Sequence, residues 1–201
     1  LMLNVQVRNI PPVHRWINGE LSLKQIKDVN IEDVLGRKPI QLDKSRIKHD
    51  LEGKVVLVTG AAGSIGSELV RQIIDFHPES VLLIDQAESA LYDLELELQA
   101  TAPRLDFRPI LCDITNAERM GKIFRKHQPD IVFHAAAYKH VPVMEDNPSE
   151  AVVNNVLGTK TIADLSARYH AEKFVMISTD KAVNPTSVMG ASKRIAEIYI
   201  Q

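Results

Sequence analysis

Residues 54–66, Lys-Val-Val-Leu-Val-Thr-Gly-Ala-Ala-Gly-Ser-Ile-Gly, constrain the fold of this chain more than any other stretch. Val55 to Val58 form a continuous apolar run, as a strand buried on both faces of a parallel sheet requires. Gly60, Gly63 and Gly66 then fall three apart. Glycine lets a backbone turn sharply and lets a phosphate come close. From Ser64 the spacing predicts a helix, with Ile65, Leu69 and Ile73 on one stripe and Val70 and Ile74 beside it. A strand, a glycine turn and a helix N-terminus form a pyrophosphate cradle, because free amide N–H groups meet the positive end of the helix dipole. Gly60, Gly63, Ser64, Ile65 and Gly66 are the expected phosphate-binding residues of a dinucleotide site. A turn with a purely structural role is the alternative.

The rest of the composition narrows the class. The 201 residues suit one domain with an appendage, and 45% hydrophobic residues supply a core. A net charge of −2 gives no general attraction to nucleic acid or to an anionic membrane surface. The single cysteine, Cys112, excludes an internal disulfide framework and fits a reducing compartment. No apolar run approaches the length of a membrane span, and no signal peptide is legible. No metal is expected.

Residues 1–50 read as a linker arm. Val5 to Arg8 alternates like a short strand, Pro11-Pro12 stops it, and Leu21 to Leu35 suggests short helical turns. From residue 51 strand and helix patterns alternate, the signature of a parallel α/β sheet. The predicted strands are Val55–Val58, Val81–Asp85, Phe107–Ile114, Asp130–Ala136 and Lys173–Ser178. Helices are predicted from Ser64, over Glu88–Ala100 with Leu91, Leu94 and Leu98 inward, over Asn116–Lys126 and Pro148–His170, and from Ser187. This is a doubly wound α/β sheet of the Rossmann type over residues 51–201. The chain stops at Gln201 inside a predicted helix, so a substrate-binding remainder is expected beyond it.

Ligands of open α/β sheets sit at the carboxyl ends of the strands. Asp85 closes the second strand, nineteen residues after Gly66. A carboxylate there accepts hydrogen bonds from the adenosine ribose and repels a ribose phosphate, which favours NAD over NADP. Asp113 and Ile114 follow as candidate adenine contacts, although an Asp before Thr115 is equally a turn starter. Ala135, Ala136 and Ala137 are small enough for a cofactor to lie against the sheet edge. The fifth strand ends in Ser178-Thr179-Asp180-Lys181, an unusual cluster of hydroxyl, carboxylate and ammonium. Lys193, one turn after Met189 on the last helix, is in reach of a nicotinamide ribose.

These motifs together resemble a known family. Thr-Gly-x-x-Gly-x-x-Gly, Asn155-x-x-Gly158-Thr159, the strand-end Ser-Thr-Asp-Lys and the final x-x-x-Lys helix resemble the extended short-chain dehydrogenase/reductase superfamily. Tyr138-Lys-His-Val-Pro142, Met144-Glu-Asp-Asn-Pro148, Thr179-Asp-Lys-Ala182 with Asn184-Pro185, and Met189-Gly-Ala-Ser-Lys193 look like the bacterial CapD-like nucleotide-sugar dehydratases of polysaccharide biosynthesis. Arg8-Asn-Ile-Pro-Pro and Ile31-Glu-Asp-Val-Leu-Gly-Arg37 are similar to the stretch before the catalytic domain in their long, membrane-anchored members. The superfamily's Tyr-x-x-x-Lys has Met189 in place of tyrosine, and a thioether cannot take a proton. A second Tyr-x-x-x-Lys, Tyr169 to Lys173, precedes the fifth strand and is read as chance.

The resemblance implies an NAD-dependent UDP-N-acetylglucosamine 4,6-dehydratase serving capsule or other surface glycan synthesis. In the family reaction hydride leaves sugar C4, the 4-ketone acidifies C5–H, water is lost across C5 and C6, and hydride returns to C6. By resemblance Asp180 is the acid for the C6 hydroxyl, Lys181 the base at C5, Thr179 a hydrogen-bond partner of O4, and Lys193 the holder of the ribose. Lysine acts as a base only when neutral, and a neighbouring carboxylate favours its charged form, so the Asp180 and Lys181 roles are open to exchange. Lys139, His140, Glu145 and Asn184 are expected to line the UDP-sugar site. The implied location is cytoplasmic, with the full protein anchored to the inner membrane, and homo-oligomer formation is left open. This stretch alone is expected to turn over weakly or not at all. The competing readings are an inverting dehydratase or 5-epimerase on the same substrate, and a non-catalytic NAD-binding module.

Overall fold

The computed structural model describes residues 43–201 and, before them, the backbone of Arg8–Asn9 and Lys27–Asp28. The chain divides into two compact units, Leu1–Asp43 and Lys44–Gln201. In the first, Arg8–Asn9 and Lys27–Asp28 pair antiparallel, with Arg8 opposite Asp28. Lys27–Asp28 is thus extended where helical turns were expected, its backbone groups being satisfied across a ladder. The strand start at Val5, the stop at Pro11-Pro12 and the remainder of Leu21–Leu35 lie outside the described residues.

The second unit opens with helix α1 (Lys44–Leu51), whose last residue, Leu51, is buried in the core. Five strands follow: β1 (Val55–Thr59), β2 (Ser80–Asp85), β3 (Asp106–Leu111), β4 (Ile131–His134) and β5 (Lys173–Met176). All pairs are parallel, in the order β3-β2-β1-β4-β5. This is the Rossmann order, and its direction reverses between β1 and β4.

Period-two alternation divides each strand between two cores. Val56, Val58, Val81 and Leu83 face helices α2 (Ser64–Ile74) and α3 (Glu88–Thr101), meeting Val70, Ile73, Leu91, Leu94 and Leu98. Leu57, Leu82 and Ile84 point the other way, against Met120, Ile123 and Phe124 of α4 (Ala117–His127). The strand-to-strand crossovers on one side of β1 use one face and those on the other side use the second, as right-handed connections require. Helix α5 (Val141–Asp146) is a short element that the sequence pattern did not suggest. After it the chain runs continuously through α6 (Pro148–Ala151), a π-helical stretch Val152–Gly158 and α7 (Thr159–Arg168). Ile162 and Leu165 of α7 join the second core. A 3-10 turn, Asp180–Ala182, and α8 (Val188–Ile200) complete the unit.

Three expectations need correction. Ile65 does not lie on the buried stripe of α2: it is 55% exposed, and Gly66, Val70 and Ile73 face inward instead. The reason is the glycine turn. Gly60 has φ +65°, and a Cβ there would lie 2.6 Å from the Ala136 nitrogen; a Cβ on Gly66 would lie 1.9 Å from the Gly60 carbonyl oxygen. Helix α2 therefore rolls its glycine face onto the turn. The third strand ends at Leu111, short of Ile114, because the Asp113 carboxylate accepts from Thr115 N (2.8 Å) and turns the chain. The fourth and fifth strands likewise stop at His134 and Met176, ahead of the loops that form the cleft.

His134 fastens that edge from below. It is fully buried, with Nδ1 2.7 Å from Thr59 Oγ1 and Nε2 2.9 Å from Thr159 Oγ1. The Thr159 hydroxyl gives its one proton to the Asn155 carbonyl (2.7 Å), so Nε2 must be the donor to Thr159 and Nδ1 the acceptor from Thr59. Thr59 Oγ1 in turn accepts from Ala136 N at 3.4 Å. The neutral Nε2–H tautomer thus links the end of β1, the Ala136 loop and the start of α7. Burial, with a smaller contribution from the Lys193 cation, lowers its pKa to about 3.

Two outcomes follow from this packing. Gly66→Ala is expected to lower the unfolding free energy by about 1–3 kcal/mol through overpacking; a wild-type melting temperature would show that α2 and the turn separate at no cost. For His134, the unfolded chain binds a proton below pH 6.5 that the folded chain refuses until about pH 3. Its contribution is fully present above pH 6.5 and is lost as pH falls, at about 2 kcal/mol between pH 7 and pH 5. His134→Gln should flatten the denaturant-measured stability profile over that interval by this amount; an unchanged profile would exclude a neutral buried histidine.

Candidate functional site

The carboxyl edge of the sheet at the β1/β4 reversal carries a cleft with adjoining lobes. The first, about 220 Å³, has Gly60, Ala62 and Gly63 from the turn, Asp85, Gln86 and Ala87 from the end of β2, Cys112 and Ile114 after β3, and Ala135, Ala136 and Ala137 after β4. Asp85 Oδ2 accepts from Ala62 N and Oδ1 from Ala87 N, both at 2.9 Å. Each oxygen retains a lone pair, so the carboxylate shapes the glycine turn and can still accept from a ribose hydroxyl. Helix α2 begins at Ser64; its N-cap Gly63 makes no side-chain cap, and the first turn contains no acidic residue. Its amides and dipole are thus available to an anion.

The second lobe, about 290 Å³, lies under the ends of β4 and β5. Ile65, Ala135, Ala137 and Lys139 form one side and Ser178, Thr179, Lys181, Met189 and Lys193 the other. Lys193 is 4% exposed and donates to the Ile177 carbonyl at 2.7 Å. Burial holds its pKa below the ordinary lysine value, opposed by the Glu197 carboxylate. Two of its three protons remain for a ligand. Ser178 donates to Glu197 at 2.5 Å and so faces α8 as well as the lobe. Thr179 donates to Asp180 Oδ1 at 3.0 Å and caps the 3-10 turn by accepting from Lys181 N; Lys181 Nζ lies 3.4 Å from the same Asp180 oxygen. The Asp180 side chain is 87% exposed, and its pKa is lowered by the Thr179 hydroxyl first and Lys181 second.

The remaining expected residues scatter. Lys139 and His140 line a third, shallower lobe together with Met144 and Asn147. Glu145 does not line any of these lobes: its carboxylate accepts from Val188 N at 2.7 Å and holds the start of α8. Asn184 is exposed in a left-handed turn (φ 48°), a conformation asparagine tolerates, and is likewise outside them. Asp113 is exposed beside the first lobe and engaged in its own turn, whereas its neighbours Cys112 and Ile114 line it. The second Tyr-x-x-x-Lys is remote from the cleft: Tyr169 lies 6.2 Å from the Phe124 ring, and Lys173 pairs with Asp50 at 2.5 Å at the amino edge of the sheet.

Met189 is 3% exposed and packs with Met144 and Ala151, backed by Tyr138. Residues singled out too little by sequence reasoning are Tyr138, Gln86 and Asn155. Asn155 is fully buried, accepts from Tyr138 N (2.8 Å) and donates to Tyr138 O and Ser192 Oγ, both at 3.0 Å. It binds the loop after β4 to α8. Its presence in the Asn-x-x-Gly-Thr motif was the only signal. No group of three or more potential metal ligands occurs among the described residues. No helix among them is long and apolar enough to cross a membrane.

Residues 56–201 match the family described as polysaccharide biosynthesis protein. The chain is 46% identical over 198 residues to the capsular polysaccharide biosynthesis protein CapD of Staphylococcus aureus, covering 98% of this chain and 33% of CapD. It is 33% identical over 141 residues to a UDP-N-acetylglucosamine 4,6-dehydratase (inverting) of Campylobacter jejuni, covering 70% of this chain and 40% of the relative. The chain thus spans about a third of the length of CapD. Among solved structures, a UDP-glucose 4-epimerase of Thermotoga maritima with UDP-glucose superposes with a TM-score of 0.63 at 27% identity, over 73% of this chain and 50% of that one. The Bordetella bronchiseptica enzyme WbmG in complex with NAD gives 0.62 at 23%, over 74% and 49%, a likeness of fold. The chain therefore belongs to the polysaccharide biosynthesis protein family, as a CapD-like member of the short-chain dehydrogenase/reductase superfamily.

Proposed function

We propose that the protein to which this chain belongs is an NAD-dependent nucleotide-sugar 4,6-dehydratase acting on UDP-N-acetylglucosamine. The product is the 4-keto-6-deoxy sugar nucleotide for a bacterial surface glycan. The observation that carries the reading is one lobe lined by a buried, underpartnered Lys193 and by Thr179 and Lys181, both bonded to the exposed Asp180 carboxylate that itself lies outside the lining, beside an uncapped helix N-terminus. The names of the relatives support the substrate class. In this proposal residues 1–50 are an arm and 51–201 the dinucleotide-binding domain, working on the cytoplasmic side of the membrane that anchors the longer protein.

A bound NAD supplies the site with an acceptor and donor of hydride. Asp85 selects its unphosphorylated ribose by accepting hydroxyl protons and repelling a phosphate. Lys193 donates to the other ribose. With Met189 in the tyrosine's position, Thr179 binds the sugar O4 hydroxyl and passes its proton on through Asp180, to which it already donates. Lys181 removes the C5 proton in its neutral form, which requires the proton relayed to Asp180 to have discharged the neighbouring carboxylate, and the protonated Asp180 releases the C6 hydroxyl as water. In the open cleft Asp180 is ionised and solvated, so the acid role requires the sugar to cover it and raise its proton affinity. Lys139 and His140 contact the sugar nucleotide from the third lobe. An inverting outcome at C5 is the second reading, favoured by the name of the Campylobacter relative.

Incubation of the complete protein with UDP-N-acetylglucosamine in deuterated water should give a C6 methyl signal in the proton spectrum with deuterium at C5. Its coupling pattern assigns the C5 configuration. A site that binds NAD and leaves the sugar unchanged would overturn the substrate assignment. In the same protein Asp180→Asn and Lys181→Met should each lower kcat by about 10²–10⁴-fold. Their NAD affinity should stay within about threefold, since neither is assigned to the dinucleotide; full turnover in either variant would remove its acid–base role.

A further inference from the structure

The Tyr138 side chain has no role in the chemistry above, yet its residue lines all three lobes of the cleft. Its phenol oxygen accepts a hydrogen bond from Gln86 Nε2 at 3.3 Å. The two residues come from opposite sides of β1. Gln86 follows the last residue of β2, and Tyr138 stands four residues beyond the last residue of β4. Both strands flank β1, so the pair reaches across two strand spacings, roughly 10 Å. The glycine turn leaves β1 between them, and both residues line the lobe that contains Gly60 and Gly63.

The two ends of this bar are held unequally. The backbone of Tyr138 is gripped on both its N–H and its C=O by the buried Asn155 amide, and its ring packs on the cluster of Met144, Ala151 and Met189. Gln86 is exposed. One end is therefore a fixed post and the other a side chain free to swing. The bond joins two walls of the lobe that also contains Gly60 and Gly63, where a dinucleotide lying along the strand ends would meet it.

We infer that Gln86 and Tyr138 form a latch over the glycine turn that retains the pyrophosphate portion of the dinucleotide between turnovers. The inference rests on the proposed NAD site and adds to it a kinetic function. In a reaction that returns its hydride to the same sugar the cofactor is regenerated in place, and a closed latch costs such a cycle nothing.

The test measures capture and release of NADH by the complete protein, followed by nucleotide fluorescence and by chase with excess NAD. Tyr138→Phe and Gln86→Ala are each expected to raise both the association and the dissociation rate by about three- to tenfold, the worth of one modest hydrogen bond. The double variant should be no faster than either single one, because both remove the same bond. Tyr138→Phe keeps the ring and its packing, so a folding defect is avoided. Faster release with unchanged capture would make the pair an ordinary contact, and unchanged rates in both variants would leave no latch; either overturns the inference. Absence of NADH binding in the wild type would overturn this inference and the NAD assignment together. Normal latch kinetics without a dehydrated sugar product would count against the substrate reading alone.

Discussion

The close contact between two stretches of backbone at the β1/β4 reversal underlies the rest of the structure. Gly60 meets the peptide of Ala136 at a distance that no side chain would allow, and Gly66 meets the Gly60 carbonyl in the same way. These contacts bring the glycine turn, the start of α2 and the loop after β4 into one surface. The Thr59–His134–Thr159 chain of hydrogen bonds holds that surface from within, and its direction is set because each hydroxyl has one proton to give. The Asn155 amide then ties the same loop to α8, the helix that carries Met189 and Lys193. The cleft is thus supported by buried, mutually satisfied polar groups on strands and helices, the arrangement that keeps a site in register.

Its electrostatics differ between the two ends of the chemistry. Lys193 is buried against a carbonyl, and desolvation works against its charge. In the proposed complex, a cofactor's ribose hydroxyls would give that cation the partners it lacks. Asp180 is the opposite case: open to water, paired with Lys181 and held firmly ionised. The proposed acid–base steps therefore depend on the sugar closing over a cluster that is solvated in its absence, and much of the catalytic tuning belongs to the complex.

The fold was legible because its signals are local and repeated. Apolar runs of strand length, helical stripes and a glycine triplet occur in an order compatible with one topology, and Leu91, Leu94 and Leu98 turn inward as their spacing demands. Strand ends were less legible. Asp113 stops β3 by accepting from Thr115 N, the turn its residue type offered, while the apolar residues around it argued for a strand running on to Ile114. Ile65 was misassigned because hydrophobicity argued for burial, while the turn's need for Gly66 rotated the helix away from it.

At the site, residue type and position at strand ends marked Asp85, the alanine triplet and Thr179 to Lys181, since parallel topology sends every such residue to one edge, and helical spacing from Met189 marked Lys193. Sequence by itself determined that edge, its glycine turn and the absence of a tyrosine at Met189. Tertiary structure alone decided that Glu145 would cap α8, that Asn155 would grip Tyr138, and that Gln86 and Tyr138, fifty-two positions apart, would meet across β1. The physical reason is that periodicity and propensity act over a few residues, whereas these contacts arise between side chains whose separation is set by strand order and by how closely two backbones pack.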